Sequence, residues 1–166
     1  DTSALIGKTI ESVKHSLETA SLNRELSDVA KQLNKGEIDT AFEYIKDVQK
    51  DNQDYMEVLI ITDANGKVII DSQTKTPDID LSDRDYMKKA LSSGKETVSE
   101  VLTSRFTGNP AIFIVYPLKD GDKIIGTLVG SIKFESISNY ASKVKIGESG
   151  YAYMIDKNGL IVYHPD

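Results

Sequence analysis

The periodicity of this chain changes once, near residue 55, and the change separates a helical part from a stranded part. Before it, apolar residues fall at Ile6, Ile10, Val13, Leu17 and Ala20, in steps of four and three. After a phase slip they resume at Leu22, Leu26, Val29 and Leu33. That spacing lines one face of a helix. Lys8, Glu11, Lys14, Glu18, Arg24 and Glu25 suit the wet face. The pattern predicts one long helix over 3–34, stopped at Asn34-Lys35-Gly36, where glycine supplies a left-handed cap. Such a helix would be roughly 45 Å long at 1.5 Å per residue. It suits either a core layer or a stalk and dimer helix. A second helix is predicted over 37–51, with Ile38, Phe42, Ile45 and Val48 as its stripe.

Beyond residue 55 the pattern is that of strands. Glu57–Thr62 and Lys67–Ser72 flank Asp63-Ala64-Asn65-Gly66, a hairpin signal because Asn-Gly accepts positive φ. Residues 74–81 read as a loop. A short helix over 84–92 follows, capped by Ser82 or Asp83 and stopped by Gly94. Three more strands are predicted over 97–103, 111–118 and 123–134, then a short helix over 135–145. Gly126 and Gly130 are read as places where a helix or ligand approaches the last strand closely. The Asp-x-Asn-Gly hairpin then recurs: Asp156-Lys157-Asn158-Gly159 follows Asp63-Ala64-Asn65-Gly66 by 93 residues, again between apolar runs. The expected architecture is α+β, a helical layer on a five-stranded antiparallel meander. The other face of the sheet is covered by residues 73–96, and a cleft beneath that cover is the natural place for a small ligand. The division expected is a helical layer over 1–54, a stranded module over 55–145, and the start of a second module over 146–166. The chain is read as a piece of a longer one.

Composition removes several functions. The net charge is −6 without a basic cluster, which disfavours nucleic acid. Cysteine is absent, so disulfides and thiolate metal sites are excluded. No apolar run approaches the roughly 20 residues that span a bilayer. The two histidines, His15 and His164, belong to no triad or metal pattern. Gly147-Glu148-Ser149-Gly150-Tyr151 departs from a nucleophile elbow, and Gly121, Gly126 and Gly130 make no phosphate loop. No enzyme and no cofactor is expected.

The segment richest in chemistry is Asp80-Leu81-Ser82-Asp83-Arg84-Asp85-Tyr86-Met87. A guanidinium at Arg84, opening a helix over the sheet, can hold a carboxylate through two parallel hydrogen bonds, and Tyr86 adds an aromatic wall with a hydroxyl. The alternative is that Arg84 merely pairs with Asp83, Asp85 or another carboxylate on the surface. Ser104 and Arg105 end a strand near the cleft, with Arg105 either a second anion contact or a surface residue. Strand alternation puts Ile112, Ile114 and Tyr116 on one face and Ala111, Phe113 and Val115 on the other, without saying which lines the cleft.

In this order the motifs resemble one family. They are the long first helix, Asp63-Ala64-Asn65-Gly66, Ser82-Asp83-Arg84-Asp85-Tyr86-Met87, Gly94-Lys95, Thr107-Gly108-Asn109-Pro110 and Tyr116-Pro117-Leu118. Gly126-Thr127-Leu128-Val129-Gly130, Ile146–Tyr153, Asp156–Gly159 and Tyr163–Asp166 complete the set. Nearly the whole chain resembles the double Cache sensor domains of bacterial chemotaxis receptors and sensor histidine kinases. The resemblance implies a PAS-like antiparallel sheet on a long helix. It implies an extracellular or periplasmic domain of a membrane receptor that binds a small molecule and signals across the membrane. A chemoreceptor is favoured; a histidine kinase, or a ligand-free dimerisation module, is the alternative. It also implies a homodimer through the first helix. In amino-acid-binding members the position of Arg84 grips the ligand carboxylate, and an Asp matching Ser131 takes the ammonium. Here the Arg is kept, Tyr86 is a partial match, and the Asp is Ser131. Losing a charge-assisted bond of about 1.5–3 kcal/mol favours a small carboxylate over an amino acid. The expected site is Arg84, Tyr86, Ser104, Arg105, Tyr116 and Ser131.

Overall fold

The computed structural model describes the backbone of residues 2–31, 35–136, 154–155 and 161–163, and the side chains of 10–31 and 36–136. The helical part comprises α1 (Thr2–Ser21), α2 (Arg24–Ala30) and α3 (Lys35–Asp51). The helix expected over 3–34 is therefore two helices, and the break falls at the phase slip. The two-residue step from Ala20 to Leu22 cannot stay on one helical face, so Leu22 is left 82% exposed. Asn23 takes an extended conformation and its side chain accepts the Glu25 N–H at 2.8 Å, starting α2 afresh. Val13, Leu17, Ala20, Leu26 and Val29 then all reach the core.

The stranded part comprises β1 (Met56–Asp63), β2 (Val68–Asp71), α4 (Asp85–Ser93), β3 (Thr97–Val98), β4 (Leu102–Thr103), β5 (Pro110–Asp120) and β6 (Lys123–Lys133). The sheet order is β2-β1-β6-β5-β3, with β4 also on β5, and every pairing is antiparallel. It is not the simple meander expected. β6 lies between β1 and β5, so the first and last long strands meet at the centre, and the strand expected over 97–103 is two short pieces. β7 (Met154–Ile155) and β8 (Ile161–Tyr163) pair antiparallel where the second hairpin is expected; the short helix over 135–145 lies mostly outside the described residues.

β1 and β6 are buried on both faces because each face is covered. On one face Leu59, Ile61, Ile112, Ile114, Leu128 and Ile132 meet α1, α2 and α3. A Cβ on Gly130 would lie 2.9 Å from Leu17 Cδ1, and one on Gly126 would lie 2.9 Å from Ala30 Cβ and closer still to the Thr62 carbonyl. These glycines let α1 and α2 settle directly onto β6. On the other face Val58, Ile60, Val68, Phe113, Val115 and Val129 meet Leu81, Tyr86, Met87 and Ala90. The hairpin between β1 and β2 serves this second face. The Asp63 carboxylate accepts the N–H groups of Asn65 and Lys67 at 2.8 and 3.0 Å, and Gly66 has φ 87°. Gly66 packs so close to Met87 and Ser82 that a side chain there would collide with both.

Candidate ligand site

The cover over the second face is stitched to the hairpin. Val68 N–H donates to the Ile79 carbonyl and Leu81 N–H to that of Gly66, at 3.1 and 3.0 Å. Buried Asp71 turns the chain by accepting the N–H groups of Gln73 and Thr74 at 2.7 and 3.0 Å. Its burial raises its carboxyl above the ordinary range. The loop delivers Arg84 to the start of α4. Neither Ser82 nor Asp83 caps this helix: Arg84 occupies the cap position, and its side chain makes no cap hydrogen bond.

The Arg84 side chain is thereby free to reach across the cleft. Nη2 donates to the Thr103 carbonyl at the end of β4, at 2.9 Å. Its Nε is buried with no hydrogen-bond partner among the described residues, and the same holds for the Tyr86 hydroxyl. The Tyr86 ring lies flat on Phe113 of β5, with centroids 4.9 Å apart and planes 4° from parallel. Burial pushes the Tyr86 hydroxyl up to about 12, against the pull of Arg84 and Arg105, so it stays a protonated donor. The first turn of α4 and its cap thus carry two buried donors without acceptors among the described residues, and the Arg84 charge acts on the Tyr86 hydroxyl. Leaving such groups unpaired costs about 1–3 kcal/mol each. Both are suited to an acidic ligand group.

The alternative reading, in which Arg84 pairs with Asp83 or Asp85, is not what the described residues show: Arg84 makes no ion pair with either. Asp83 is held by Arg105, whose Nη1 and Nη2 donate to its two oxygens at 2.6 and 2.7 Å. The same Nη1 donates to the Asp80 carbonyl at 2.6 Å. The hydrogen bonds from Arg105 bring the Asp83 carboxyl down to about 2. Arg105 therefore clasps the loop to the β4–β5 turn. Ser104, 2% exposed, builds that turn: its N–H donates to the Asn109 carbonyl, and its hydroxyl accepts the Phe106 N–H.

Ser131 of β6 is fully buried, on the same sheet face as its cross-strand partner Phe113. Its hydroxyl donates to Glu57 Oε2 at 2.8 Å, and Thr107 of the turn donates to Glu57 Oε1 at 2.5 Å. Glu57 and Thr107 were not expected here. The signal for Glu57 is its position as a lone charge at the head of an apolar strand.

Tyr116 is not part of this group. It points to the opposite face, packed with Ile112 and Ile114 beneath the helices, because β5 alternates and Phe113 faces α4. Burial, reinforced by the Glu96 carboxylate at its hydroxyl, keeps Tyr116 protonated. Glu96 in turn accepts from Lys14 of α1 at 2.8 Å. Beside Tyr86, between α4 and the stretch from β3 to β4, lies a cavity of about 200 Å³, lined also by Lys89, Thr97, Ser99 and Glu100. Among the described residues no cluster of His, Asp and Glu is arranged to hold a metal. No helix among them is long and apolar enough to cross a membrane.

The fold and the sequence have known relatives. The methyl-accepting chemotaxis protein McpA of Bacillus subtilis is 28% identical over 100 residues, covering 56% of this chain but only 15% of that protein. The ligand-binding domain of the Pseudomonas fluorescens chemoreceptor CtaA, solved with L-isoleucine, superposes with a TM-score of 0.72 at 22% identity. That match covers 99% of this chain and 64% of that one. The ligand-binding domain of the Pseudomonas aeruginosa amino-acid chemoreceptor PctC, solved with GABA, also gives 0.72, at 20% identity, over 99% of this chain and 72% of that one. The profile of the Cache domain family dCache_1 matches residues 1–166, and this chain belongs to that family.

Proposed function

We propose that this chain is the ligand-binding part of a bacterial transmembrane chemoreceptor. It takes a small carboxylate under α4 and passes a conformational change to the first helix. The observation that carries the ligand class is the pair of buried donors, Arg84 Nε and the Tyr86 hydroxyl. An acidic group between them would satisfy both, and a guanidinium binds a carboxylate with charge-assisted bonds. Ser104 shapes the turn beside them, Arg105 holds the covering loop through Asp83, and Ser131 presents its hydroxyl from β6. The kinship with chemotaxis receptors supports an extracellular position in a membrane receptor and a binding role rather than catalysis. The division proposed is a helical layer over 1–54, the binding module over 55–145, and the start of a second module over 146–166. The exposed Leu22 at the end of α1 supports a homodimer along that helix.

The test is a thermal-shift screen with small carboxylates, amino acids and amines, each run beside Arg84→Ala. A ligand at about 100 times its dissociation constant stabilises by about 2.7 kcal/mol, and the melting temperature rises by several degrees. A carboxylate should shift the wild type and leave Arg84→Ala unmoved. Equal shifts in both proteins would end the assignment of Arg84.

A further inference from the structure

The site has a second pole. Glu57 is the only charged residue between Met56 and Thr62 in β1. The register of β1 against β6 shifts between Met56 and Val58, which makes Glu57 an extra residue in the strand. A bulge of this kind re-aims a side chain. Here the carboxylate joins Ser131, which stands opposite both Val58 and Phe113 on the α4 side of the sheet. Its contacts are two hydroxyls, Ser131 and Thr107, one on each oxygen. An ionised carboxylate offers about four lone-pair positions, so acceptor capacity is left over. Among the described residues Glu57 has no ion-pair partner. Arg84 and Glu57 hold the two ends of one short segment: Arg84 donates to the Thr103 carbonyl, and Glu57 accepts from Thr107. The stacked pair of Tyr86 and Phe113 links them, because Tyr86 follows Arg84 in the chain and Phe113 faces Ser131. One end of this arrangement lacks an acceptor and the other lacks a cation.

We propose that Glu57 is a specificity-determining residue of the site, the acidic pole that takes a protonated amine on a ligand whose carboxylate lies at Arg84. This rests on the reading of Arg84 above. It reverses the preference for an amine-free carboxylate that Ser131 alone suggests, because the charge missing from β6 is supplied from the neighbouring strand.

Calorimetric titration of the 166-residue chain with butyrate and with α-, β- and γ-aminobutyrate tests it. The four acids share one carbon skeleton and differ only in the amine and its distance from the carboxylate. At least one aminobutyrate should bind about tenfold or more tightly than butyrate, as expected of one charge-assisted bond. Glu57→Gln keeps the side chain's size and one acceptor oxygen, and its amide NH2 donates to the other hydroxyl, which turns to accept. It should abolish that preference while changing butyrate binding far less. Glu57→Asp keeps the charge on a shorter arm and should move the preference to an isomer with a longer span. Equal weakening of all four ligands by Glu57→Gln, or no effect on any, would make Glu57 a structural staple and overturn the proposal. So would a wild type that prefers butyrate or binds none of the four. If binding falls in Arg84→Ala and ignores Glu57→Gln, the Glu57 assignment alone fails. If it falls in Glu57→Gln and ignores Arg84→Ala, the two-pole arrangement fails together with the Arg84 reading.

Discussion

The two faces of the sheet are built from similar strands and packed to different ends. Toward α1 and α2 the contact is apolar and tight: Leu17 sits against Gly130, and Ala30 against Gly126, with no side chain on the strand at either point. Toward α4 the apolar layer of Val58, Ile60 and Phe113 is interrupted by Arg84, Tyr86, Ser131 and Glu57, and two buried donors go unmatched. A face that only stabilises has no reason to keep such groups, since each opposes folding. The helical face is packed close and apolar, and the α4 face keeps buried polar groups that oppose folding.

Leu17→Ala should separate the two faces most sharply. The side chain is fully buried on the helical face, and its loss should cost about 3 kcal/mol through lost burial and a residual cavity. The melting temperature should fall by about 6–12 °C, while the ligand affinity of the folded protein stays unchanged. A matching loss of affinity would mean that the faces are not separable. Tyr86→Phe tests the other side. Removing a buried hydroxyl without a partner should raise stability, by about 1 kcal/mol, and yet weaken ligand binding several-fold. A drop in melting temperature would show that the hydroxyl is satisfied in the free protein.

The smallest effect belongs to the clasp on the rim. Asp83 and Arg105 are largely exposed, so Asp83→Asn should change stability only slightly, and less still at high salt. The sign with pH is defined. The folded Asp83 carboxyl lies at about 2, below its ordinary value near 3.8, so its contribution is present above pH 4. It disappears as pH falls through about 2, and the stability curves of wild type and Asp83→Asn should converge over that interval. Curves that stay parallel from pH 5 to pH 2 would show that the clasp adds nothing.

What could be read from the chain followed the range of the interaction. The Asp63–Gly66 turn was legible because one side chain and its own neighbouring N–H groups make it. The break at Leu22 and Asn23 was present as a phase slip, but the pattern on either side is so regular that it reads as one helix. The cap of α4 is not visible in the sequence, because Ser82 and Asp83 are ordinary caps and the Asp83 carboxylate is taken by Arg105, 22 residues away. The pairing of β1 with β6 joins residues more than 60 positions apart, and no local rule predicts it. The direction of Tyr116 was undecidable because both faces of β5 are apolar, which hides the period-two signal. The chemistry of Arg84 and Tyr86 singles them out in the sequence, but whether the guanidinium is tied up by Asp83 depends on Arg105, which no local pattern shows. Glu57 gives no such signal, because one acidic residue at a strand end usually meets water, and its tie to Ser131 spans 74 positions.

β5 carries Phe113 on one side and Tyr116, three residues on, on the other. Three residues of extended strand cover only about 10 Å. The ring beneath Tyr86 and the hydroxyl beside Glu96 are therefore fixed to one stiff bar, held along its length by β6. Glu96 is tied to Lys14, so the bar ends at the first helix. The ring under α4 and the salt bridge to α1 are thus the two ends of one continuous chain of contacts that crosses the sheet from face to face.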